Sequence, residues 1–193
     1  VGFHSTSNVL AGKAFGIPIN GTMAHSYVTS FKREIDSFRA FAQSFPENTL
    51  LLLDTYDTVV ATHKAVEVAL EMERQGHRLR GVRLDSGDLL SLSREVRRIL
   101  DDAGLDYVHI LASGGLDEFL VEQLVKRGAP IDGFGLGTRI GVSSDSPWLD
   151  MVYKLVRYGD RPVLKLSNGK ETLADEKQVF RLFCKLIFRK KLL

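Results

Sequence analysis

The chain is poor in cysteine. Cys184 is the single thiol in 193 residues, so neither an internal disulfide nor a cysteine metal cluster can form, and a reducing, cytoplasmic setting is expected. A surplus of either charge is also lacking. The 26 basic and 24 acidic side chains leave a formal charge of +2, which gives no global drive toward nucleic acid but is compatible with a local anion pocket. No apolar run is long enough to span a bilayer, and the N-terminus lacks the layout of a signal peptide. Neither a nucleic acid nor a membrane is therefore expected as a partner. Val1 stands where an initiator methionine would, and a fragment of a larger protein is expected. What is present is ordinary globular composition, 44% hydrophobic and 26% charged, which excludes a disordered chain, a collagen-like repeat and a disulfide-built miniprotein.

The middle of the chain repeats in kind. Thr49 to Leu53 is a continuous apolar run ending at Asp54, of the sort found in strands buried on both faces. A helix is expected from Thr62 to Gln75, with Ala65, Val66, Ala69, Leu70 and Met72 inward and Gly76 as its stop. A second strand is expected over 79–84. The next helix carries Leu92, Val96, Ile99 and Leu100, and a third strand covers 107–112. A third helix carries Leu116, Phe119, Leu120 and Leu124, and a fourth strand lies near Ile131 to Phe134. Strand then helix at a spacing of about thirty residues predicts βαβ units, a parallel sheet and right-handed crossovers. An open doubly wound sheet and part of a (β/α) barrel both fit, and both place ligand chemistry at the carboxyl ends of the strands. Each apolar run ends in a short polar cluster: Asp54 and Asp57, then Arg83, Asp85 and Ser86, then Ser113 to Gly115, then Gly137 and Thr138. On neighbouring strands these clusters would line one mouth. The flanks are less regular, with a helix through Lys13, a helix from Ser30 to Phe45, and two strands at 151–156 and 162–166 of an antiparallel appendage.

The polar clusters admit more than one chemistry. Gly135-Leu136-Gly137-Thr138 can present backbone N–H groups to a phosphate or make a tight turn. Arg83 and Asp85, two apart on a strand, point the same way. They suit an anion or flat ring beside sugar hydroxyls, or else form an ion pair next to a helix cap at Ser86 or Asp88. Asp54 and Asp57 could hold Mg²⁺, orient a base or cap the following helix. His25, among small residues, suits acid–base work, phosphate acceptance or a plain structural hydrogen bond. The tail from Phe180 reads as a membrane-surface helix or as a peripheral end.

Ser5-Thr6-Ser7-Asn8-Val9-Leu10-Ala11-Gly12, Gly21-Thr22-Met23-Ala24-His25-Ser26, Leu53-Asp54-Thr55-Tyr56, Arg83-Leu84-Asp85-Ser86-Gly87-Asp88-Leu89 and Gly135-Leu136-Gly137-Thr138, in this order, resemble the nicotinate phosphoribosyltransferase family. Met151 to Val156 and Lys165-Leu166-Ser167 add to the likeness, which spans residues 2–181. The resemblance implies an irregular or partial α/β barrel of the type II phosphoribosyltransferase kind, over residues 1–142. Remnants of an accessory β domain and a truncated tail would occupy 143–193. It implies formation of nicotinate mononucleotide and pyrophosphate from nicotinate and 5-phosphoribosyl 1-pyrophosphate, with Mg²⁺ as cofactor and ATP as co-substrate, in a homodimer with a shared site. By motif position His25 would be a phosphohistidine, Thr22 and Arg83 would contact nicotinate, and Asp85 would hold ribose hydroxyls. Gly137 and Thr138 would bind the 5-phosphate, with Ser113 and Gly114 near the sugar phosphate and Asp54 and Asp57 in support. Ser7 falls where the related nicotinamide enzyme has an Asp, so a preference for the acid is expected. An aromatic and an Arg from an N-terminal segment of the family are not in this chain. A nicotinamide or quinolinate phosphoribosyltransferase, or a barrel remnant that binds phosphate sugars without turnover, are the rival readings.

Overall fold

The computed structural model describes residues 2–142, 149 and 151–180. Four parallel strands form its centre: β1 (Leu50–Leu52), β2 (Gly81–Leu84), β3 (His109–Ala112) and β4 (Gly133–Phe134), hydrogen-bonded in that order. Leu52 stands opposite Arg83, Arg83 opposite Leu111, and Leu111 opposite Gly133. Side chains alternate across the pleat. Leu51, Val82, Leu84, Ile110 and Ala112 therefore share one face, and all are fully buried.

That face is covered by helices. In chain order the helices are α1 (Val9–Phe15), α2 (His25–Ser30), α3 (Glu34–Ser44), α4 (Thr58–Arg74), α5 (Leu89–Asp102), α6 (Glu118–Lys126) and the short α7 (Thr138–Gly141). Ala61, Ala65, Val68, Ala69 and Met72 of α4 and Leu89, Leu90, Val96 and Leu100 of α5 join the strand residues in one apolar cluster. The helix expected from Thr62 starts four residues earlier because Asp57 caps it, accepting from Val60 N at 2.8 Å. Asp88 and Asp117 cap α5 and α6 in the same way, each cap contributing about 1 kcal/mol. Gly76, at φ 82°, follows α4 as the expected stop.

Three expectations need correction. The helix expected over 30–45 is present but starts later: Phe31 and Arg33 are extended, so it is α3, from Glu34 to Ser44, and Ser30 is instead the last residue of α2. Phe119 is not a core residue of α6, since it sits in the first turn after the Asp117 cap and is 68% exposed. The antiparallel appendage exists but is shifted. Its strands are β5 (Arg157–Tyr158) and β6 (Arg161–Pro162), joined at Gly159-Asp160 and extended by Val163 N donating to Val156 O at 3.0 Å. Met151, Val152 and Tyr153 form no strand and are exposed. The tail from 181, with Cys184, lies outside the described residues. Among the described residues no helix is long and apolar enough to cross a membrane.

Candidate active site

The carboxyl ends of β1, β2 and β3 and the start of α2 meet in one place. β1 hands the chain to Asp54 and Thr55, β2 to Asp85 and Ser86, and β3 to Ser113 and Gly114. Ala24, extended at φ −98°, turns the chain into α2, so His25 is its first residue. His25 Nδ1 lies 3.1 Å from Thr55 Oγ1. Its Nε2 stands 3.5 Å from Asp85 Oδ2 and 3.9 Å from Asp54 Oδ1.

Each carboxylate is fixed by its neighbours. Ser86 Oγ donates to Asp54 Oδ2, and both residues are buried. Asp85 Oδ1 accepts from Ser113 Oγ at 2.6 Å and from Arg83 Nη2 at 3.0 Å. Arg83 Nε also donates to Ser113 Oγ at 2.9 Å. Burial works to raise the pKa of Asp85. His25, the Ser113 hydroxyl and the charges of Arg83 and Lys170 outweigh it and hold the carboxyl well below the usual carboxylate range. Gly114 admits the close approach this needs: at φ 93°, a Cβ there would lie 2.0 Å from Asp85 O.

These groups border a cleft of about 340 Å³ lined by Thr22, His25, Arg83, Asp85, Lys154 and Lys165, among others, a size suited to a small organic ligand. Thr22 Oγ1 donates to Leu50 O at 2.7 Å, which ties the segment before α2 to β1. Lys165 is only 4% exposed. Burial, then the nearby charges of Lys154 and Lys170, lower its pKa against the opposing pull of Asp54 and Asp85. A cation kept in such surroundings is poised for an anion. A wider hollow of about 420 Å³ lies beside Arg94, Arg97 and Arg98 of α5, but Arg97 is committed to Leu105 O and Val108 O and Arg98 to Asp102.

The hairpin segment is tied to the same place by four of its residues. Arg161 Nη2 donates to Thr29 O and Ser30 O at 2.8 Å each, at the end of α2. Leu166 N donates to Thr55 O at 2.9 Å, and Ser167 Oγ to Asp54 O. Lys170 Nζ donates to Asp85 O at 2.5 Å.

The family model for the nicotinate phosphoribosyltransferase (NAPRTase) family matches residues 1–178. The chain belongs to that family. It is 50% identical over 182 residues to a nicotinate phosphoribosyltransferase of Mycobacterium tuberculosis, covering 93% of this chain and 38% of that protein. It is 40% identical to the Bacillus subtilis enzyme over 190 residues, covering 94% of the chain and 38% of the relative. Among solved structures, human nicotinic acid phosphoribosyltransferase aligns at 31% identity with a TM-score of 0.66, over 70% of this chain and 38% of that one. Nicotinate phosphoribosyltransferase from Vibrio cholerae shares the fold, with a TM-score of 0.75 at 21% identity over 89% of this chain and 45% of that one. The chain thus spans less than half the length of these relatives.

Within this NAPRTase-family chain, three of the four expected strand-end clusters converge. Asp54, Arg83, Asp85, Ser113 and Gly114 come together with His25, and Thr22 lines the same cleft. Gly137 and Thr138 do not join them: both are exposed, and Thr138 opens α7. Ser7 is exposed and is not among the residues lining the cleft. Asp57 is an exposed helix cap. Of the two cap candidates, Asp88 is the cap and Ser86 serves Asp54. Sequence reasoning gave Lys165, Lys170, Thr55 and Arg161 no role. A signal existed for one of them: Val163, Lys165 and Ser167 alternate with period two, and all three are buried, so the lysine shares the inward face of an apolar segment.

Proposed function

We propose that this chain carries the phosphohistidine and sugar-binding half of a nicotinate phosphoribosyltransferase active site, on a section of a (β/α) barrel. The observation that carries this reading is the cleft itself. A part-buried histidine whose Nε2 is buried and makes no hydrogen bond faces two carboxylates, and Arg83, Lys154 and Lys165 line the cleft beside it. The barrel reading is supported by strand order, since four parallel strands in simple sequence order have no reversal point. Right-handed crossovers then keep every helix on one side.

In this reading His25 donates from Nδ1 to Thr55 and attacks the γ-phosphorus of ATP through the Nε2 lone pair. ADP departs with the electrons of the broken P–O bond. Attack by the nicotinate ring nitrogen on the anomeric carbon then breaks the C–O bond to pyrophosphate, which leaves with the bonding pair, and water takes the phosphoryl group from Nε2 as inorganic phosphate, restoring His25. The protein's part is placement and charge. Arg83 suits the nicotinate carboxylate, Asp85 the ribose hydroxyls and the lysines the phosphates. The family reading also implies Mg²⁺. The oxygen donors of Asp54 and Asp85 fit a hard divalent cation, which would neutralise phosphate charge there. Asp57, turned to its helix, does not. We assign the remaining pocket groups to a homodimer partner or to further chain, in a reducing compartment.

The test is labelling with γ-³²P-ATP followed by product assay. Acid-labile label on His25, absent in His25→Gln, together with nicotinate mononucleotide formation, is the expected outcome. Binding of phosphoribosyl pyrophosphate without label or product would favour a non-catalytic phosphate-sugar module instead.

A further inference from the structure

His25, Asp54 and Asp85 each turn one ligand atom toward the others beside the cleft, and that of Asp85, Oδ2, also accepts from Lys170 Nζ at 3.4 Å. His25 Nε2 and Asp54 Oδ1 are buried and make no hydrogen bond, although Asp54 is 98% shielded, its exposure being 2%. Unused buried polar atoms are costly unless something occupies the space between them. One ligand atom from each of His25, Asp54 and Asp85 lies within 4.8 Å of the other two. With the two measured separations of 3.5 and 3.9 Å, a common point lies no more than about 2.4 Å from each atom. A tightening of a few tenths of an ångström reaches metal–ligand distance, about 2.0–2.2 Å.

The opposite atom of every one of these side chains is already held. Thr55 takes His25 Nδ1, Ser86 takes Asp54 Oδ2, and Ser113 with Arg83 takes Asp85 Oδ1. That is how metal ligands are oriented by their surroundings. We propose that His25 Nε2, Asp54 Oδ1 and Asp85 Oδ2 form a direct coordination site for one first-row transition cation of the Zn²⁺ class. The imidazole decides the class. Mg²⁺ takes oxygen and keeps its waters, whereas one imidazole with two carboxylates favours Zn²⁺, Co²⁺ or Mn²⁺. Positive groups oppose the site and set its strength: Lys170 Nζ lies 3.4 Å from Asp85 Oδ2, and Arg83 and Lys165 line the same cleft.

A cation on Nε2 occupies the lone pair that phosphoryl transfer needs, so the two states of His25 exclude one another. This consequence rests on the function proposed above. The coordination site does not.

The experiment titrates Co²⁺ alone into the purified chain and follows its visible absorption. A saturable band at one Co²⁺ per chain is expected, with a shifted His25 ring resonance in the proton spectrum. His25→Gln and Asp54→Asn should weaken binding by tenfold or more. Lys170→Met should tighten it, and a tenfold excess of Mg²⁺ should not displace it. Far-UV circular dichroism checks that each variant folds, and the His25 resonance decides the matter in the unmutated chain if one does not. Unchanged Co²⁺ affinity in folded His25→Gln, an unperturbed His25 resonance, or displacement by Mg²⁺ each overturns the site. Labelling from ATP is then run with and without saturating Zn²⁺. Undiminished label in the presence of Zn²⁺ defeats the exclusion. No label in either arm, with Co²⁺ still bound, defeats the phosphoryl-transfer reading and leaves the cation site intact.

Discussion

Replacing Lys165 with Met should make the chain more stable while weakening its hold on anions. Lys165 is 4% exposed, and its charge is set only by burial and by the surrounding charges of Lys154, Lys170, Asp54 and Asp85. A buried ammonium costs several kcal/mol when isolated. Attraction to the two carboxylates offsets part of that, and Met fills a similar volume without charge, so a net gain of about 1–3 kcal/mol at pH 7 is expected. The pH dependence has a definite sign. A lysine whose folded pKa is depressed destabilises the fold below its unfolded value, near 10.4. The unmutated chain should therefore gain stability as pH rises through the depressed pKa, and its deficit against Lys165→Met should close by about pH 10. Pyrophosphate supplies the functional half of the test. At one hundred times its dissociation constant it should stabilise the unmutated chain by about 2.7 kcal/mol, and a tenfold weaker site at the same concentration by about 1.4 kcal/mol. Urea unfolding followed by circular dichroism, at pH 7 and pH 10 and with and without pyrophosphate, measures all four quantities. A Lys165→Met chain that is less stable at pH 7, or that pyrophosphate stabilises fully, would refute the reasoning.

Gly114→Ala should cost about 2–4 kcal/mol in urea unfolding. A Cβ at φ 93° lies 2.0 Å from Asp85 O and 2.9 Å from its carbonyl carbon, so backbone strain and displacement of the β2 end add; an unchanged midpoint would show that this approach is looser than described. Asp85→Asn should destabilise by about 1–3 kcal/mol, since Arg83 and Lys170 lose their shared partner. Because the folded pKa of Asp85 is depressed, that loss should be constant from pH 8 to pH 5 and fade only in stronger acid; a loss that vanishes by pH 5 would contradict the assignment. Glu34 titrates the other way: burial raises its pKa against the pull of Lys64, so acidification from pH 7 toward 4.5 should favour the fold through this group, and Glu34→Gln should flatten that part of the stability profile. Tyr107, pushed up to about 12 by burial and then by Glu73, should ionise last of the five tyrosines in an ultraviolet titration, and Tyr107→Phe should remove that step.

The parallel sheet was legible because its cause is local. Runs such as Thr49 to Leu53 ending in a polar cluster can sit only between buried faces, and Gly76 marks the helix end wherever the sheet lies. Boundaries were less legible where a cap decides them. Asp57 could be a ligand or a cap on composition alone, and only its distance to Val60 N settles which. Phe119 followed helical spacing yet faces solvent, because spacing counts from a start that the Asp117 cap shifts. The site was legible where chemistry and strand ends coincide, at Asp54, Arg83, Asp85 and Ser113. It was not legible where a lone residue reaches in from far along the chain. Arg161 contacts Thr29 and Ser30 across more than a hundred residues, and nothing in its neighbourhood announces that partner.

That long-range contact bears on how the cleft holds together. α2 carries His25 at its first residue and gives its last carbonyls to Arg161, so the hairpin fixes the helix from its far end. Leu166, Ser167 and Lys170 fix Thr55, Asp54 and Asp85 from the same segment. The strand ends alone leave their carboxylates crowded around one imidazole, an arrangement that repulsion would loosen. The hairpin segment supplies both the backbone links and the cations, Lys165 and Lys170, that keep two carboxylates and a histidine within a few ångströms. Geometry and charge balance at His25 thus draw on the same short segment, Arg161 to Lys170, and a chain ending before β5 should retain its sheet but lose the arrangement of its cleft.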